Sequence, residues 1–486
     1  MHVVHVAPEA APYARTGGLG DVLGALPAAL ARSGNDVTLI IPGHRAAHRA
    51  AAGLRHLARV WAPVSSRTED ATLLGVEGAA VPTVLVDVPR YFDRAGLYGE
   101  DGHDYPDNAE RFVVFCRATL EWLRSWTHPP DVVHVHDWQA ALLPAFLAAG
   151  RDLYPELAAT RTVMTVHNLA YQGRFWAADW HLLNLDRRHF RPEELEFYGA
   201  INLLKAGLVF ADAVTTVSPR YAEEICTPAL GEGLDGVLRS RGSALRGILN
   251  GVDYGVWDPA TDAALAAPYD RADSAGKARC KAALRRELGL EASPAVPVLA
   301  MVSRFAYQKG LDLVVDVAAG LLDTGAAQLI VLGSGDPQLE AALVALARRF
   351  PHRMAVRLGF DDGLAHRIEA GGDAFLMPSR YEPCGLSQLY SLRYGTVPIV
   401  HAVGGLMDTV QDYDSAHDTG TGFTFRPFGR DAFLAAIHRA LAVWRDSERW
   451  HGIMSRGMAA DFSWEVAAAS YRRLYDELRS RSPRGA

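Results

Sequence analysis

Apolar residues arrive along this chain in short unbroken runs, separated by stretches of helical period. HVVHVA, DVTLII, PTVLVDV, DVVHVH, TVMTVH and AVTTVS occupy the first half, and VPVLAMVS, AQLIVLG, MAVRLG, AFLMPS, VPIVHAV and GFTFRP the second. Runs that do not alternate with polar residues suit strands buried on both faces of a parallel sheet. Between them apolar positions recur every three or four residues. Val22, Leu23, Leu26, Ala29 and Leu30 form one such stripe, and Ser33-Gly34 supplies its stop. This alternation predicts right-handed βαβ units and an α/β fold with doubly wound parallel sheets. The turn-rich stretch RGSALRGILNGVDYGVWDP breaks the rhythm between two sets of six strands. The expected division is therefore a domain over 1–246, a second over 247–460, and a C-terminal helix and tail over 461–486. In that last helix Ala467, Tyr471, Leu474 and Leu478 share one face, and the tail SPRGA is expected to fray.

Bulk properties narrow the classes. At 486 residues the chain exceeds one compact core, and its 49% apolar and 22% charged content is that of a soluble globular protein. A formal charge of −7 and a pI near 6.2 argue against nucleic acid as the main partner, while leaving room for a local basic pocket. Cys116, Cys226, Cys280 and Cys384 are widely spaced without a CxxC, so neither a zinc site nor a disulfide framework is indicated, and reduced thiols fit a cytoplasmic protein. MHVVHVAPEA lacks a basic region and a long apolar core, so no signal peptide is expected. No apolar run approaches the roughly 18 residues of a membrane span.

In open α/β sheets ligands bind beyond the carboxyl ends of the strands. The residues after the expected strands are rich in chemistry: Pro8-Glu9, His136-Asp137-Trp138, His167-Asn168, Ser303-Arg304, Gly333-Ser334-Gly335, Ser379-Arg380-Tyr381-Glu382 and Gly404-Gly405. YARTGGLGDVLGALP puts Gly17-Gly18 at a helix N-terminus, where free N–H groups and the dipole favour an anion; a bare tight turn explains the same residues. GGLGDVL at 17–23 is echoed by GGLMDTV at 404–410. Arg304 and Lys309, five residues apart, suit a diphosphate or are two cations of a solvated loop. Glu382 is either a helix cap or an acceptor for sugar hydroxyls. HVHDW at 134–138 permits a metal reading because residues i and i+2 of a strand share a face, but no further cluster has matching spacing, and His134 also suits the core. The acidic pairs Asp361-Asp362 and Asp412/Asp414 read as solvated loops.

Taken together, RTGGLGDVLGALP, LYGEDGHDYPDNAERF, HVHDWQAALLPAFL, TVHNLAYQG, FYGAINLLKAGLVFADAVTTVSPRYAEEI, GEGLDGVL, ILNGVDYGVWDP, VSRFAYQKGLDL and PSRYEPCGLSQLYSLRYGTVPIVHAVGGLMDTV resemble bacterial glycogen synthases and plant starch synthases, glycosyltransferase family 5. The resemblance runs in order to about residue 425. It implies a GT-B fold: two Rossmann-like domains facing a deep cleft, acceptor side first and nucleotide-sugar side second, with a C-terminal helix returning to the first. It implies transfer of glucose from ADP-glucose to the non-reducing end of an α-1,4-glucan, with retention and with neither metal nor cofactor. Glu382, His167, Arg304 and Lys309 match the family's active-site residues, and Asp137 lies in its HDW segment. The same resemblance puts Arg15, Gly17, Gly18, Asp21, Asn168, Phe360, Cys384, Gly404, Gly405 and Leu406 on the donor. It implies that the three residues from Gly404 offer amides to phosphate, and that Tyr98 lies on the acceptor side. Arg15 stands where the family has lysine, and Phe360 where it has tyrosine. UDP-glucose as donor, a non-catalytic glucan-binding protein and a metal hydrolase are the alternatives.

Overall fold

The unbroken apolar runs pair side by side, and the computed structural model describes them within residues 1–481; the SPRGA tail lies outside the described residues. The chain forms two units, Met1–Gly251 with the segment from Trp464 onward, and Val252–Ser463. The first unit is built on β1 (His2–Val6), β2 (Asp36–Pro42), β3 (Leu54–Val64), β4 (Arg67–Val76), β5 (Thr83–Asp87), β6 (Val132–His136), β7 (Arg161–Val166), β8 (Ala213–Thr216) and β9 (Leu245–Gly247). They make one nine-stranded sheet in the order β9-β8-β7-β6-β1-β2-β5-β4-β3. Pairing is parallel from β9 to β5. The β3–β4 hairpin joins antiparallel at the edge. Arg55, His56 and Arg59 in one strand, and Arg67 to Asp70 in the other, break up its apolar residues, which is why a search for unbroken runs passes over it.

The second unit contains β10 (Val298–Val302), β11 (Gln328–Gly333), β12 (Met354–Leu358), β13 (Ala374–Met377), β14 (Val397–His401) and β15 (Phe423–Phe425). Their order is β12-β11-β10-β13-β14-β15, all parallel. This is the doubly wound order, whose direction reverses between its first and fourth strands. In the first unit the same reversal falls between β1 and β6.

Four helices bear on the strand-end loops and on the first unit's core: α1 (Gly18–Arg32), α2 (Leu311–Asp323), α3 (Gly404–Thr409) and α4 (Trp464–Ser480). α1 ends where Ser33 caps it and Gly34 turns to a φ of 88°. α4 places Ala467, Tyr471, Leu474 and Leu478 in one core with Val22 and Leu26 of α1 and with Val3, Val37 and Val132 of the sheet. The last helix of the chain thus completes the first unit. Leu474→Ala should cost that unit about 2–5 kcal/mol, the usual range for emptying a buried leucine site. Hydrogen exchange should quicken in β1, β6 and α1 and stay unchanged in β10 to β15; faster exchange confined to the second unit would contradict this packing.

Candidate functional site

Loops after the first and fourth strands of a doubly wound sheet diverge and leave a crevice at the strand ends. In the second unit these loops follow β10 and β13, and they carry Arg304 to Lys309 and Ser379 to Gly385. Lys309 sits in a single 3-10 turn ahead of α2. Its Nζ meets Glu382 Oε2 at 2.6 Å, and Ser379 Oγ donates to the same oxygen at 3.0 Å. Glu382 is only 4% exposed, so its charge needs that partner; a buried ion left alone costs several kcal/mol. Among the described residues no donor reaches Oε1. The carboxylate therefore has one oxygen held and one free to accept. Arg304 is exposed and makes no ion pair among the described residues.

The two loops are braced against each other. Arg380 forks onto Asp312 at 2.8 and 2.6 Å, and its amide donates to Gln308 O at 2.8 Å. Gly310, at φ 66°, lets the turn nest on β13, since a Cβ there would lie 1.9 Å from Pro378 O. A Cβ on Gly405 would lie 2.2 Å from Cys384 O, so glycine is also what allows α3 to seat on the Glu382 loop. Beyond β12, Phe360 is 75% exposed beside a recess of about 320 Å³ lined with Leu332, Leu358, Gly359 and Leu364.

In the first unit the reversal lies between Glu9 and Asp137. Glu9 Oε2 accepts from Thr16 N at 3.0 Å, Thr16 Oγ1 at 2.7 Å and Tyr98 Oη at 3.2 Å, while Oε1 accepts from Gly20 N at 3.1 Å. Burial raises the Glu9 carboxyl above its ordinary value, and these donors work against that rise. The amides of Gly17 and Gly18 bond nothing among the described residues. Gly17 is extended, and a Cβ there would meet nothing within 4 Å, so the fold itself does not demand glycine. Asp137, left-handed at φ 55°, accepts from His167 N at 2.7 Å. Burial pushes its carboxyl up to about 7, against the lowering effect of the His167 and Asn168 amides. His167 joins Nε2 to His136 Nδ1 at 3.0 Å, and burial pushes its imidazole down to about 3. Asn168 Oδ1 closes a turn by accepting from Ala170 N at 3.1 Å.

The structure thus groups Lys309 with Glu382, puts Arg304 on the loop of Lys309, and sets Asp137 under His167 and Asn168. Arg15, Gly17, Gly18 and Asp21 share the turn that Glu9 and Tyr98 hold. Three expectations need correction. The helix after Glu382 begins only at Ser387, not at Cys384 or Gly385, and has no side-chain cap, so the Glu382 carboxylate is not its cap. The Gly405 amide is spent on Glu382 O at 3.0 Å and the Leu406 amide on Val403 O at 3.1 Å, so these two are closed to a phosphate; the Leu406 side chain is core. HVHDW does acquire a third histidine: ring nitrogens of His5, His134 and His136 lie within 4.8 Å of one another. Sequence reading assigns no role to Glu9 or His5. Their signals were an acid directly after a buried strand and a polar residue inside one.

Comparison with known proteins shows the family and the fold. Residues 2–240 match the family model described as starch synthase catalytic domain, and residues 289–451 that of glycosyl transferases group 1. A glycogen synthase of Anaeromyxobacter sp. strain Fw109-5 is 52% identical over 98% of this chain and 99% of its own. Glycogen synthase 2 of Geobacter sulfurreducens is 47% identical over 98% of each. Among solved structures, the catalytic domain of starch synthase IV from Arabidopsis thaliana, bound to ADP and acarbose, superposes with a TM-score of 0.90 at 34% identity, covering 99% of both chains. Sucrose-phosphate synthase from Thermosynechococcus elongatus, at 18% identity and a TM-score of 0.59, shares the fold.

The raised Asp137 carboxyl carries a sign for stability. A carboxyl that binds its proton more tightly when folded favours the folded state at low pH, and that contribution is lost as pH rises towards 7. Asp137→Asn, uncharged throughout, should therefore gain Tm relative to the parent chain between pH 4.5 and 8. Parallel Tm profiles across that range would show that the buried carboxylate carries no such penalty.

Proposed function

The chain belongs to the glycogen and starch synthase family of glycosyltransferases and has its GT-B fold, and we propose that it extends an α-1,4-glucan with glucose from ADP-glucose. The observation that carries this reading is the half-committed carboxylate of Glu382. With Oε2 tied to Lys309 and Ser379, Oε1 is placed to accept from a hexose hydroxyl, which suits orienting the sugar better than attacking it. Arg304 and Lys309 offset the charge that gathers on the departing diphosphate. The open amides of Gly17 and Gly18, with Arg15 on the same turn, suit an anion, and the family resemblance gives the amide of Gly404 the same role.

Arg15 binds Asp21 in the structure, Nε to Oδ1 at 2.8 Å and Nη2 to Oδ2 at 3.1 Å, so it meets phosphate from that pair. Phe360 offers a face to adenine. His167 and Asn168 lie along the glucose, with the His167 carbonyl towards the developing oxocarbenium, and Asp137 fixes that loop through its amides. Tyr98 serves the glucan side. The bond from the anomeric carbon to the diphosphate breaks as the bond to the acceptor oxygen forms on the same face. The acceptor proton passes to the leaving phosphate. A cytoplasmic setting is supported by the four free cysteines. Among the described residues no helix is long and apolar enough to cross a membrane.

Release of ADP from ADP-glucose, dependent on glycogen and faster than release of UDP from UDP-glucose, is the expected result. Glu382→Ala should lower kcat at least a hundredfold, about 3 kcal/mol, with an unchanged circular dichroism spectrum. A preference for UDP-glucose would make the nucleotide assignment wrong, and activity within a few-fold in the variant would remove Glu382 from the chemistry. Arg15→Ala should raise the donor KM while Arg15→Lys retains substantial activity; an unchanged KM in Arg15→Ala would take Arg15 off the phosphate.

A further inference from the structure

Three buried histidines of the first sheet, His5, His134 and His136, have no part in the proposed reaction. Strand register explains how they meet: His5 of β1 lies opposite His134 of β6, and His136 lies opposite Thr165 of β7. Residues of like parity on paired strands share a face, so His5, His134, His136 and Thr165 form a polar stripe that ends at His167. All four are fully buried. His134 is closed off within the stripe, Nδ1 to Tyr475 Oη of α4 at 2.7 Å and Nε2 to Thr165 Oγ1 at 2.6 Å. The other rings form a line. His5 Nδ1 meets His136 Nε2 at 3.0 Å, and His136 Nδ1 meets His167 Nε2 at 3.0 Å.

A neutral imidazole has one donor and one acceptor nitrogen, so each contact in such a line dictates the tautomer of the next ring. Burial keeps all three rings neutral at pH 7, with His5 and His167 pushed down to about 3 and His136 well below its ordinary value. Only two arrangements then make both hydrogen bonds: every ring protonated on Nδ1, or every ring on Nε2. They differ at the far end, where His5 Nε2 is buried without a partner. A buried N–H without an acceptor is the rarer orphan, and a bare lone pair the more tolerable one. The line therefore settles with every proton on Nδ1.

We propose that His5 and His136 are positioning residues that hold His167 as its Nδ1–H tautomer, so that its ring offers the bound sugar a hydrogen-bond donor and not an acceptor. The proposal rests on the assignment of His167 to the glucose site. A cation among His5, His134 and His136 is the competing use of the same rings. It is disfavoured because the His5–His136 contact and both nitrogens of His134 are already spent on hydrogen bonds.

The test is a long-range proton–nitrogen correlation spectrum of the full chain labelled with ¹⁵N-histidine, the ring of His167 being identified by its loss in His167→Gln. A protonated Nδ1 and a bare Nε2 on His167 are expected. His136→Asn keeps a donor near the Nδ1 position, and should retain that tautomer and lose less than about tenfold in kcat. His136→Leu should mix the tautomers of His167 and lower kcat by roughly a hundredfold, with KM for ADP-glucose and glycogen within about threefold. An Nε2–H tautomer in the parent chain would overturn the proposal. So would an unchanged tautomer in His136→Leu, or a stoichiometric metal ion whose removal shifts the three rings. The spectrum needs no turnover, so a chain with the stated tautomer but no transfer from ADP-glucose would refute the proposed function and leave the tautomer assignment standing.

Discussion

At the strand ends the buried carboxylates are each met by a cation or by a set of N–H groups, and the loops there are shaped by that requirement. Glu382 shows it most clearly. Lys309 comes from the loop after β10 and Ser379 from the loop after β13, so the charge ties together two segments 73 residues apart. The close seats at Gly310 on Pro378 and Gly405 on Cys384 bring those loops near enough for the contact. Ion pairs of this kind are weak evidence for net stability, because desolvation offsets much of the attraction. What this one provides is a fixed orientation for the Glu382 carboxylate.

The first unit meets the same requirement with amides. Glu9 gathers the N–H groups of Thr16 and Gly20, and Asp137 those of His167 and Asn168. The echo between GGLGDVL and GGLMDTV takes a physical form here. Both open a helix after a strand, yet the first turn is held by a side-chain carboxylate and keeps the amides of Gly17 and Gly18 open. The second turn is held by the main-chain oxygen of Glu382, which closes the amide of Gly405. Similar residues in similar places leave amides open in one case and seat a loop in the other.

Much of this was legible in the chain. Parallel strands, buried on both faces, announced themselves as unbroken runs. The rule that ligands sit at their carboxyl ends put Arg304, Glu382, Asp137 and His167 among a longer set of candidates, and the family resemblance picked them out together with Lys309. The β3–β4 hairpin was missed because clusters of polar residues break up the apolar residues of its half-exposed strands. Glu9 and His5 went without roles because their function depends on pairing: His5 finds His136 across 131 residues, through a register that only the assembled sheet defines. The amides of Gly405 and Leu406 were misjudged because a sequence shows which N–H groups exist, not which of them the turn has already used.

Glu382 is held through one oxygen, and we propose that the other reads the sugar. A crystal structure of the chain with ADP-glucose bound tests it most directly. The account predicts Oε2 still on Lys309 and Ser379, Oε1 on a glucosyl hydroxyl, and diphosphate oxygens on Arg304 and Lys309. A carboxylate that has left Lys309 to face the anomeric carbon, or a diphosphate bound away from both cations, would contradict it.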